Sequence, residues 1–284
     1  MNFGICPLSV VPLRSSSSDK SEMVSQLLFG EMIEYLEKKG SWRRVRCIWD
    51  NYIGWVDDHQ IKPITHEEFE RYSSQYAFSL ELLQAAMGDG YYLPVTLGAT
   101  LPNYDGIRFS LNGSSYTFSG QAIYPLEVKP TADLILKIAR RYLYAPYLWG
   151  GRSPMGIDCS GFTQVIFKMV GINLARDAYQ QVEHGQLIDF MEQAVAGDLA
   201  FFENNKKRIT HVGIIMPEGQ IIHASGRVRI DRIDHYGIFN EERQKYTHRL
   251  RVVKRVLPEV SKDNNSSHQS STVASKQIDQ IELF

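Results

Sequence analysis

The apolar residues of the C-terminal half change their spacing once, and this change restricts the fold. Residues 132–144 and 162–169 carry apolar side chains three and four positions apart, which predicts two helices. After Gly197 and Asp198 the spacing becomes that of strands. Helices followed by a run of antiparallel strands predict an α+β domain. The predicted strands are 199–202, 211–216, 220–224, 228–231 and 249–256.

The N-terminal half has a different pattern of short alternating segments broken by glycine. Such segments between Gln26 and Ile61 predict a small β-barrel. Their landmarks resemble a bacterial SH3-like domain: Leu28-Phe29-Gly30-Glu31, the Lys39-Gly40-Ser41-Trp42 turn and the closing strand Tyr52-Ile53-Gly54-Trp55-Val56. The resemblance covers residues 1–64.

Helix and hairpin signals continue this pattern as far as Pro130. Thr65 and Glu68 form a capping box, which predicts a helix through about Gln84. The Asn112-Gly113 pair between two alternating segments predicts a β-hairpin within a second, shorter SH3-like unit. The expected chain order is SH3-like domain 1–64, helical linker 65–87, second SH3-like unit 88–129, α+β domain 130–258 and disordered tail 259–284.

Composition narrows the classes of function and the compartment. The 31 basic and 32 acidic residues give a net charge of −1, so nucleic acid is not an expected partner. The three cysteines are widely spaced, which argues against a disulfide framework. Residues 1–14 lack the basic region of a signal peptide, and no apolar run suits a membrane span. We therefore expect a soluble, cytoplasmic monomer.

Cys159 lies at a position that favours nucleophilic catalysis. Cys159 follows Asp158 at the predicted start of a helix, where backbone N–H groups and the helix dipole lower the pKa of a thiol. His211 and His223 lie on two consecutive predicted strands, at a spacing that suits a hairpin. This order favours Cys159 as nucleophile, His211 as general base and His223 as the residue that orients His211. The remaining histidines are expected at the surface: His59, His66, His184, His235, His248 and His268.

The segments around these residues resemble the NlpC-type papain-like cysteine peptidases of bacterial cell-wall metabolism. The resemblance rests on 147–151, 156–162, 196–202, 209–214 and 223–225, in this order. It implies a papain-like domain with N-terminal helices packed on an antiparallel sheet, preceded here by two small all-β SH3-like barrels. It also implies the triad Cys159, His211 and His223, cleavage of a γ-D-glutamyl to diamino-acid bond in murein peptides, and no metal or cofactor.

The SH3-like units resemble the subgroup that releases L-alanyl-γ-D-glutamyl dipeptides from murein tri- and tetrapeptides with a free amine. In that subgroup the first SH3-like domain closes the cleft, and an acidic residue beside the nucleophile binds the ammonium. The resemblance implies Tyr147 as oxyanion donor. The implied substrate contacts are Asp158, Ser160, Tyr52, Arg176 and Asp177, with Arg176 and Asp177 facing the D-Glu carboxylate and the amine.

Each assignment has an alternative. Asp158 also suits the role of helix N-cap, Tyr147 and Tyr52 also suit core packing, and Arg176 with Asp177 also suits a solvated helix start. The scaffold also hosts amidases and acyltransferases, and SH3-like repeats also suit a non-catalytic wall-binding protein. A zinc site made of Cys159, His211 and His223 remains open, although three ligands are too few for a closed structural site.

Overall fold

The computed structural model describes residues 2–258 and begins with a seven-stranded antiparallel sheet. Its order is β3-β2-β6-β5-β4-β1-β7. Alternate residues such as Val11, Ile33 and Val45 are fully buried inside it. The strands are β1 (Phe3–Ile5), β2 (Val10–Arg14), β3 (Met23–Leu28), β4 (Met32–Lys39), β5 (Trp42–Cys47), β6 (Ile53–Asp57) and β7 (Lys62–Ile64). The predicted N-terminal β-domain is present.

Helix α1 (His66–Ser74) begins at the predicted capping box, with Thr65 accepting from the Glu68 backbone N–H. Its predicted end near Gln84 is wrong. Strand β8 (Tyr76–Ser79) follows the helix directly, because Ala77 and Phe78 are buried in pairing with strands on both sides. The helix-favouring residues 83–87 also form a strand, so tertiary pairing outweighs local propensity there.

A middle unit of two small sheets follows α1. One sheet has the order β10-β9-β13-β12 and the other β11-β8-β14. The Asn112-Gly113 hairpin is confirmed, since both residues have positive φ (49° and 78°) between paired strands. The strands are β9 (Leu83–Met87), β10 (Tyr92–Thr96), β11 (Thr100–Pro102), β12 (Arg108–Leu111), β13 (Ser114–Thr117) and β14 (Ala122–Ile123). Strand structure thus starts at Tyr76, before the predicted boundary at 88; the SH3-like character of this unit stays a prediction.

The last unit places its helices ahead of its main sheet. Its elements are α2 (Ala132–Arg141), β15 (Arg152–Ser153), β16 (Gly156–Ile157), α3 (Cys159–Met169), α4 (Ala178–Gln181), β17 (Gln186–Ile188), β18 (Leu199–Glu203), β19 (Ile209–Met216), β20 (Gln220–Ser225), β21 (Arg227–Ile233), β22 (Gly237–Asn240) and β23 (Lys245–Arg255). The sheet order is β17-β23-β18-β19-β20-β21-β22, and β22 also pairs with β23. The last six strands therefore close into a ring. Sequence patterning did not predict β17 or β22.

Two buried clusters lie on the two faces of this sheet. Phe162 and Val165 of α3 share a cluster with Phe201 and Val212, while Phe202 belongs to the other cluster. Neighbouring side chains of β18 therefore contact opposite faces, as the period of a strand requires. Among residues 2–258, no helix is long and apolar enough to cross a bilayer. The tail predicted for 259–284 lies outside the described residues.

A buried ion cluster joins the first β-domain to the last unit. Glu31 accepts from Arg152 at 2.7 and 2.9 Å and from Lys168 Nζ at 2.5 Å. All three side chains are at most 7 % exposed. Such a cluster is strongly destabilised by loss of one partner, because a buried charge then lacks compensation. These contacts fix the first domain against Arg152, in the segment before α3, and against Lys168 in the last turn of α3.

Candidate active site

The candidate nucleophile lies at the first residue of α3. Asp158 is the N-cap, and its Oδ1 accepts from the Gly161 backbone N–H at 2.7 Å. Glycine is required at position 161, because a Cβ there would overlap the backbone oxygen of Gly151. The helix start is thus packed against the preceding loop, and Cys159 is only 6 % exposed.

Burial determines the resting state of this thiol. Desolvation, followed by the negative charge of Asp158, raises the pKa of Cys159 to about 12, although backbone N–H groups of Val212 and Ser160 act in the opposite direction. The expectation of a lowered pKa at the helix start is therefore wrong. The isolated thiol is protonated at neutral pH, so nucleophilic attack requires a base to remove its proton.

The two predicted histidines meet on adjacent strands. His211 lies on β19 and His223 on β20, with the His223 backbone opposite Gly213. His211 Nε2 and His223 Nδ1 are 2.8 Å apart, and both side chains are buried. The hairpin geometry predicted from spacing is present. Val212, which follows His211, directs its N–H at the Cys159 sulfur, so β19 lies directly against the nucleophile.

Asp231 is a member of this hydrogen-bond chain that sequence reasoning missed. It lies on β21, and its Oδ2 is 3.0 Å from His223 Nε2. Burial opposes its ionisation, but hydrogen bonds from His223 and Arg229 outweigh burial and lower the pKa of Asp231. Its position in the strand that follows the His223 strand was the available signal, because consecutive short strands usually pair.

The carboxylate fixes the tautomers of both imidazoles. Asp231 accepts from His223 Nε2–H, so His223 Nδ1 carries a lone pair and accepts from His211 Nε2–H. His211 Nδ1 is then the free basic nitrogen. Burial, with the neighbouring His223 and His248, holds the pKa of His211 well below its usual value. His211 is therefore a neutral imidazole able to accept a proton.

His248 was expected at the surface, and this expectation is wrong. Its ring stacks on His211 with centroids 4.1 Å apart and lies 5.7 Å from the ring of His223. Burial lowers the pKa of His248 to about 4. The long strand β23, which pairs with β18 and β22, carries it to the catalytic histidines, and a separation of 37 positions from His211 (248 − 211) leaves no local signal.

A cleft of about 310 Å³ opens beside the thiol and is lined by two domains. Residues of the first β-domain form one wall, and the start of α4 forms another. Asp177 accepts hydrogen bonds from Tyr52 and Tyr179, and burial raises its pKa above the usual range. Burial also raises the pKa of Tyr52. The lining residues are Glu22, Val24, Tyr52, Trp149, Asp158, Cys159, Ser160, Asp177, Ala178, Tyr179, Ile209 and Thr210.

Asp158 and Arg176 form a buried ion pair under this cleft. The Arg176 guanidinium donates to both Asp158 oxygens at 3.0 and 2.6 Å, and also to the Ser160 hydroxyl at 3.0 Å. Asp158 Oδ2 additionally accepts from the Gly150 N–H at 2.8 Å. Arg176 is 1 % exposed, pairs with Asp158 and is not among the residues that line the cleft, so its contact with a substrate carboxylate stays a prediction. The Asp158 carboxylate therefore has a cationic partner and backbone N–H donors even when no substrate is bound.

Tyr147 lies next to the nucleophile. Its backbone forms a bridge to Ile157, two residues before Cys159, and its side chain is 37 % exposed. Desolvation, followed by Cys159 and Asp158, raises the pKa of Tyr147 to about 12. Its hydroxyl therefore stays protonated at neutral pH and is available as a hydrogen-bond donor.

Comparisons with known proteins agree with this geometry. Residues 144–251 match the NlpC/P60 family, and residues 13–61 match the bacterial dipeptidyl-peptidase SH3 domain. A gamma-D-glutamyl-L-lysine dipeptidyl-peptidase of Bacillus subtilis is 31% identical over 217 residues, which cover 70% of this chain and 71% of the relative. The chain belongs to the NlpC/P60 family. It is a hydrolase of the cysteine peptidase class with an N-terminal SH3-like domain.

Two further comparisons extend over the same domains. The enzyme of the same name from Bacillus cereus is 27% identical over 240 residues, covering 73% of this chain and 68% of that protein. A crystal structure of an NlpC/P60 family protein from Bacillus cereus superposes with a TM-score of 0.77 at 22% identity, covering 90% of this chain and all of the other. The likeness of fold thus extends over the N-terminal domains as well as the domain that carries Cys159.

Proposed function

We propose that the chain hydrolyses the γ-D-glutamyl to diamino-acid bond of murein peptides that begin with a free L-alanine, releasing L-alanyl-γ-D-glutamate. The observation that carries the proposal is the shared cleft, in which Tyr52 of the SH3-like domain and Asp177 line the same space as Cys159. A cleft closed on one side accepts only a short stretch of substrate before the scissile bond. The named relatives act as γ-D-glutamyl-L-lysine dipeptidyl-peptidases, which supports this bond class.

The reaction on this papain-like scaffold proceeds through a thioester. Cys159 Sγ attacks the γ-carbonyl carbon while His211 Nδ1 accepts the thiol proton. The C–N bond then breaks, and the protonated His211 donates that proton to the leaving amine. A water molecule, deprotonated by His211, cleaves the thioester and restores the thiol. His223 and the Asp231 carboxylate stabilise the transient imidazolium through the chain of hydrogen bonds described above.

The developing oxyanion needs donors on the other side of the carbonyl. The Cys159 backbone N–H at the start of α3 is one, and the neutral Tyr147 hydroxyl is the second. In other enzymes, loss of one such donor costs about 3 kcal/mol of transition-state stabilisation. In this role Tyr147 acts only when negative charge develops on the substrate oxygen.

The free ammonium of the substrate is assigned to Asp177 and Tyr52. Asp158 was the sequence-based candidate, but both of its oxygens are already bonded to Arg176 and backbone N–H groups. Asp177 lines the cleft and accepts hydrogen bonds from the hydroxyls of Tyr52 and Tyr179, so its carboxylate lies beside the space in which an ammonium would bind. Asp158 and Ser160 then shape the floor of the pocket and hold the nucleophile's helix.

A matched pair of peptides tests the proposal. L-Ala-γ-D-Glu-L-Lys and its N-acetylated form are incubated with the protein, and the products are identified by mass spectrometry. We expect the free-amine peptide to be cleaved at least a hundredfold faster, with L-Ala-γ-D-Glu as product. Equal rates on the two peptides would show an open cleft and overturn the exopeptidase assignment. No cleavage of either peptide, with lysine or with diaminopimelate as the third residue, would overturn the proposed bond.

Three variants separate chemistry from recognition. Cys159→Ala is expected to abolish turnover of both peptides. Asp177→Asn is expected to raise KM for the free-amine peptide and to reduce its advantage over the acetylated one, whereas the exposed Asp189→Asn is the matched control and leaves both unchanged. Replacing lysine by diaminopimelate in the same peptides determines the preferred diamino acid. A role in recycling of wall peptides in the cytoplasm follows as part of the proposal.

A further inference from the structure

Three imidazoles converge at the active site, one more than the hydrolytic mechanism uses. One ring nitrogen from each of His211, His223 and His248 lies within 4.8 Å of those of the other two. His211 Nε2 and His223 Nδ1 are 2.8 Å apart, whereas two nitrogens bound to one tetrahedral zinc ion are about 3.3 Å apart. An ion that replaces the shared proton therefore moves these two nitrogens apart and turns the His248 ring out of its stack on His211.

The surroundings of these imidazoles match the usual support of a metal site. A histidine that binds zinc commonly donates its other ring N–H to a carboxylate or another oxygen, which orients the ring. His223 makes this contact through Nε2 to Asp231, which leaves Nδ1 for an ion. His248 Nδ1 lies 2.9 Å from the Thr247 hydroxyl, which leaves its Nε2 for an ion.

The site is reachable from solvent and suits an open coordination sphere. His248 lines two surface clefts, of about 490 and 780 Å³. Three imidazoles plus one water form the coordination set of many open zinc sites.

We propose that His211, His223 and His248 form a binding site for a divalent transition-metal ion, zinc by preference, and that an ion bound there switches the peptidase off. Metal binding goes beyond the hydrolytic function and does not depend on it, whereas the switch rests on the proposed function. It also differs from the Cys159-His211-His223 zinc site weighed from the sequence, because His248 replaces the thiol.

Inhibition follows from the position of one proton. His211 carries its proton on Nε2, the nitrogen that faces His223. When an ion takes the Nε2 lone pair, this proton moves to Nδ1, the nitrogen that serves as base toward Cys159. His211 then has no lone pair for the thiol proton. The thiol stays protonated, and hydrolysis stops until the ion leaves.

Zinc binding is measured by calorimetry on full-length Cys159→Ala protein, which removes the active-site thiol as a ligand and needs no activity. We expect one zinc ion per cluster, with His248→Ala in that background raising the Kd at least tenfold. His235→Ala is the matched control, because His235 is exposed and lines the same large cleft outside the cluster. An unchanged Kd in His248→Ala, or loss of binding on Cys159→Ala alone, would overturn the proposal.

A second variant and an activity assay complete the test. Asp231→Asn in the Cys159→Ala background is expected to raise the zinc Kd about tenfold or more through the support it gives His223. This decides the question if His248→Ala does not fold, which circular dichroism reports. In wild-type protein, zinc is expected to inhibit peptide cleavage at the calorimetric Kd, and a chelator restores the activity. Full activity at saturating zinc would contradict the switch even where the ion binds.

Discussion

Asp231 Oδ2 accepts from His223 Nε2 at 3.0 Å and thereby extends the pair of catalytic histidines by a buried carboxylate. Asp231 Oδ1 also accepts from Arg229 at 2.9 Å, so each of its oxygens has a cationic or N–H donor. This double contact determines which way the carboxylate faces. It also sets the tautomer of His223 and, through it, that of His211.

Replacing Asp231 by Asn is expected to lower kcat about a hundredfold with little change in KM, a typical contribution of acid–base machinery. The amide has only one acceptor oxygen, so its NH₂ group faces either Arg229 or His223, and one of these hydrogen bonds is lost. Steady-state kinetics over a range of pH values measures the effect. Asp234→Asn, at a carboxylate that contacts Tyr246 and backbone N–H groups, is the control. Equal kcat in the two variants would exclude a positioning role for Asp231.

The sequence predicted the elements whose signals are local. The helix at Cys159, the strands that carry His211 and His223, and the Asn112-Gly113 hairpin all appear where spacing and turn residues place them. The end of α1 was wrong, because pairing of β8 with distant strands decides the structure there. Long-range pairing is not encoded in a short window of sequence.

The same limit applied to the site. His248 and Asp231 approach the catalytic histidines because strands distant in sequence pair in the closed ring. Arg176 forms its ion pair with Asp158 in the buried region under the cleft. A sequence motif shows that a charged residue is close in the chain, but not whether its partner is a ligand or another side chain. The sequence therefore did not show that Arg176 pairs with Asp158. The raised pKa of Cys159 was missed because burial cannot be read from the helix start alone.

The Cys159 thiol is expected to remain protonated across the neutral range. Its pKa is raised to about 12, so the ultraviolet thiolate absorbance of wild type minus Cys159→Ser should show no step below pH 9. The sign follows from burial, which favours the uncharged form of an acid. A step near or below pH 7 would instead show a resting thiolate–imidazolium pair. Cys6 and Cys47 are present in both proteins and cancel in the difference.

Removing Arg176 is expected to destabilise the protein, because the buried Asp158 carboxylate loses its cation. Arg176→Met should lower the free energy of unfolding by about 3–5 kcal/mol, the usual cost of breaking a buried pair. Urea denaturation measures it. Arg227→Met is the comparison, since the Arg227–Glu242 pair is exposed and should cost at most about 1 kcal/mol. Similar losses in the two variants would mean that Arg176 contributes no more than a surface ion pair.

Glu31 should make the stability of the protein depend on pH in the acid range. Burial opposes its ionisation, but Arg152 and Lys168 outweigh burial and lower the pKa of Glu31 from 4.5 to about 2. A lowered carboxyl pKa stabilises the folded state fully above pH 4.5, and this stabilisation is lost as the pH falls toward 2. The contribution is on the order of 3 kcal/mol, since one pKa unit corresponds to about 1.4 kcal/mol.

The urea midpoints of wild type and Glu31→Gln should therefore differ by a constant amount between pH 5 and 7. Their difference should shrink on further acidification, because wild type then also carries an uncharged side chain at this position. Glu34→Gln, at the more exposed pair with Arg46, is the control, and its difference from wild type should be small throughout. A Glu31→Gln difference that stays constant down to pH 3 would show that the carboxylate does not stabilise the contact between the two domains by its charge.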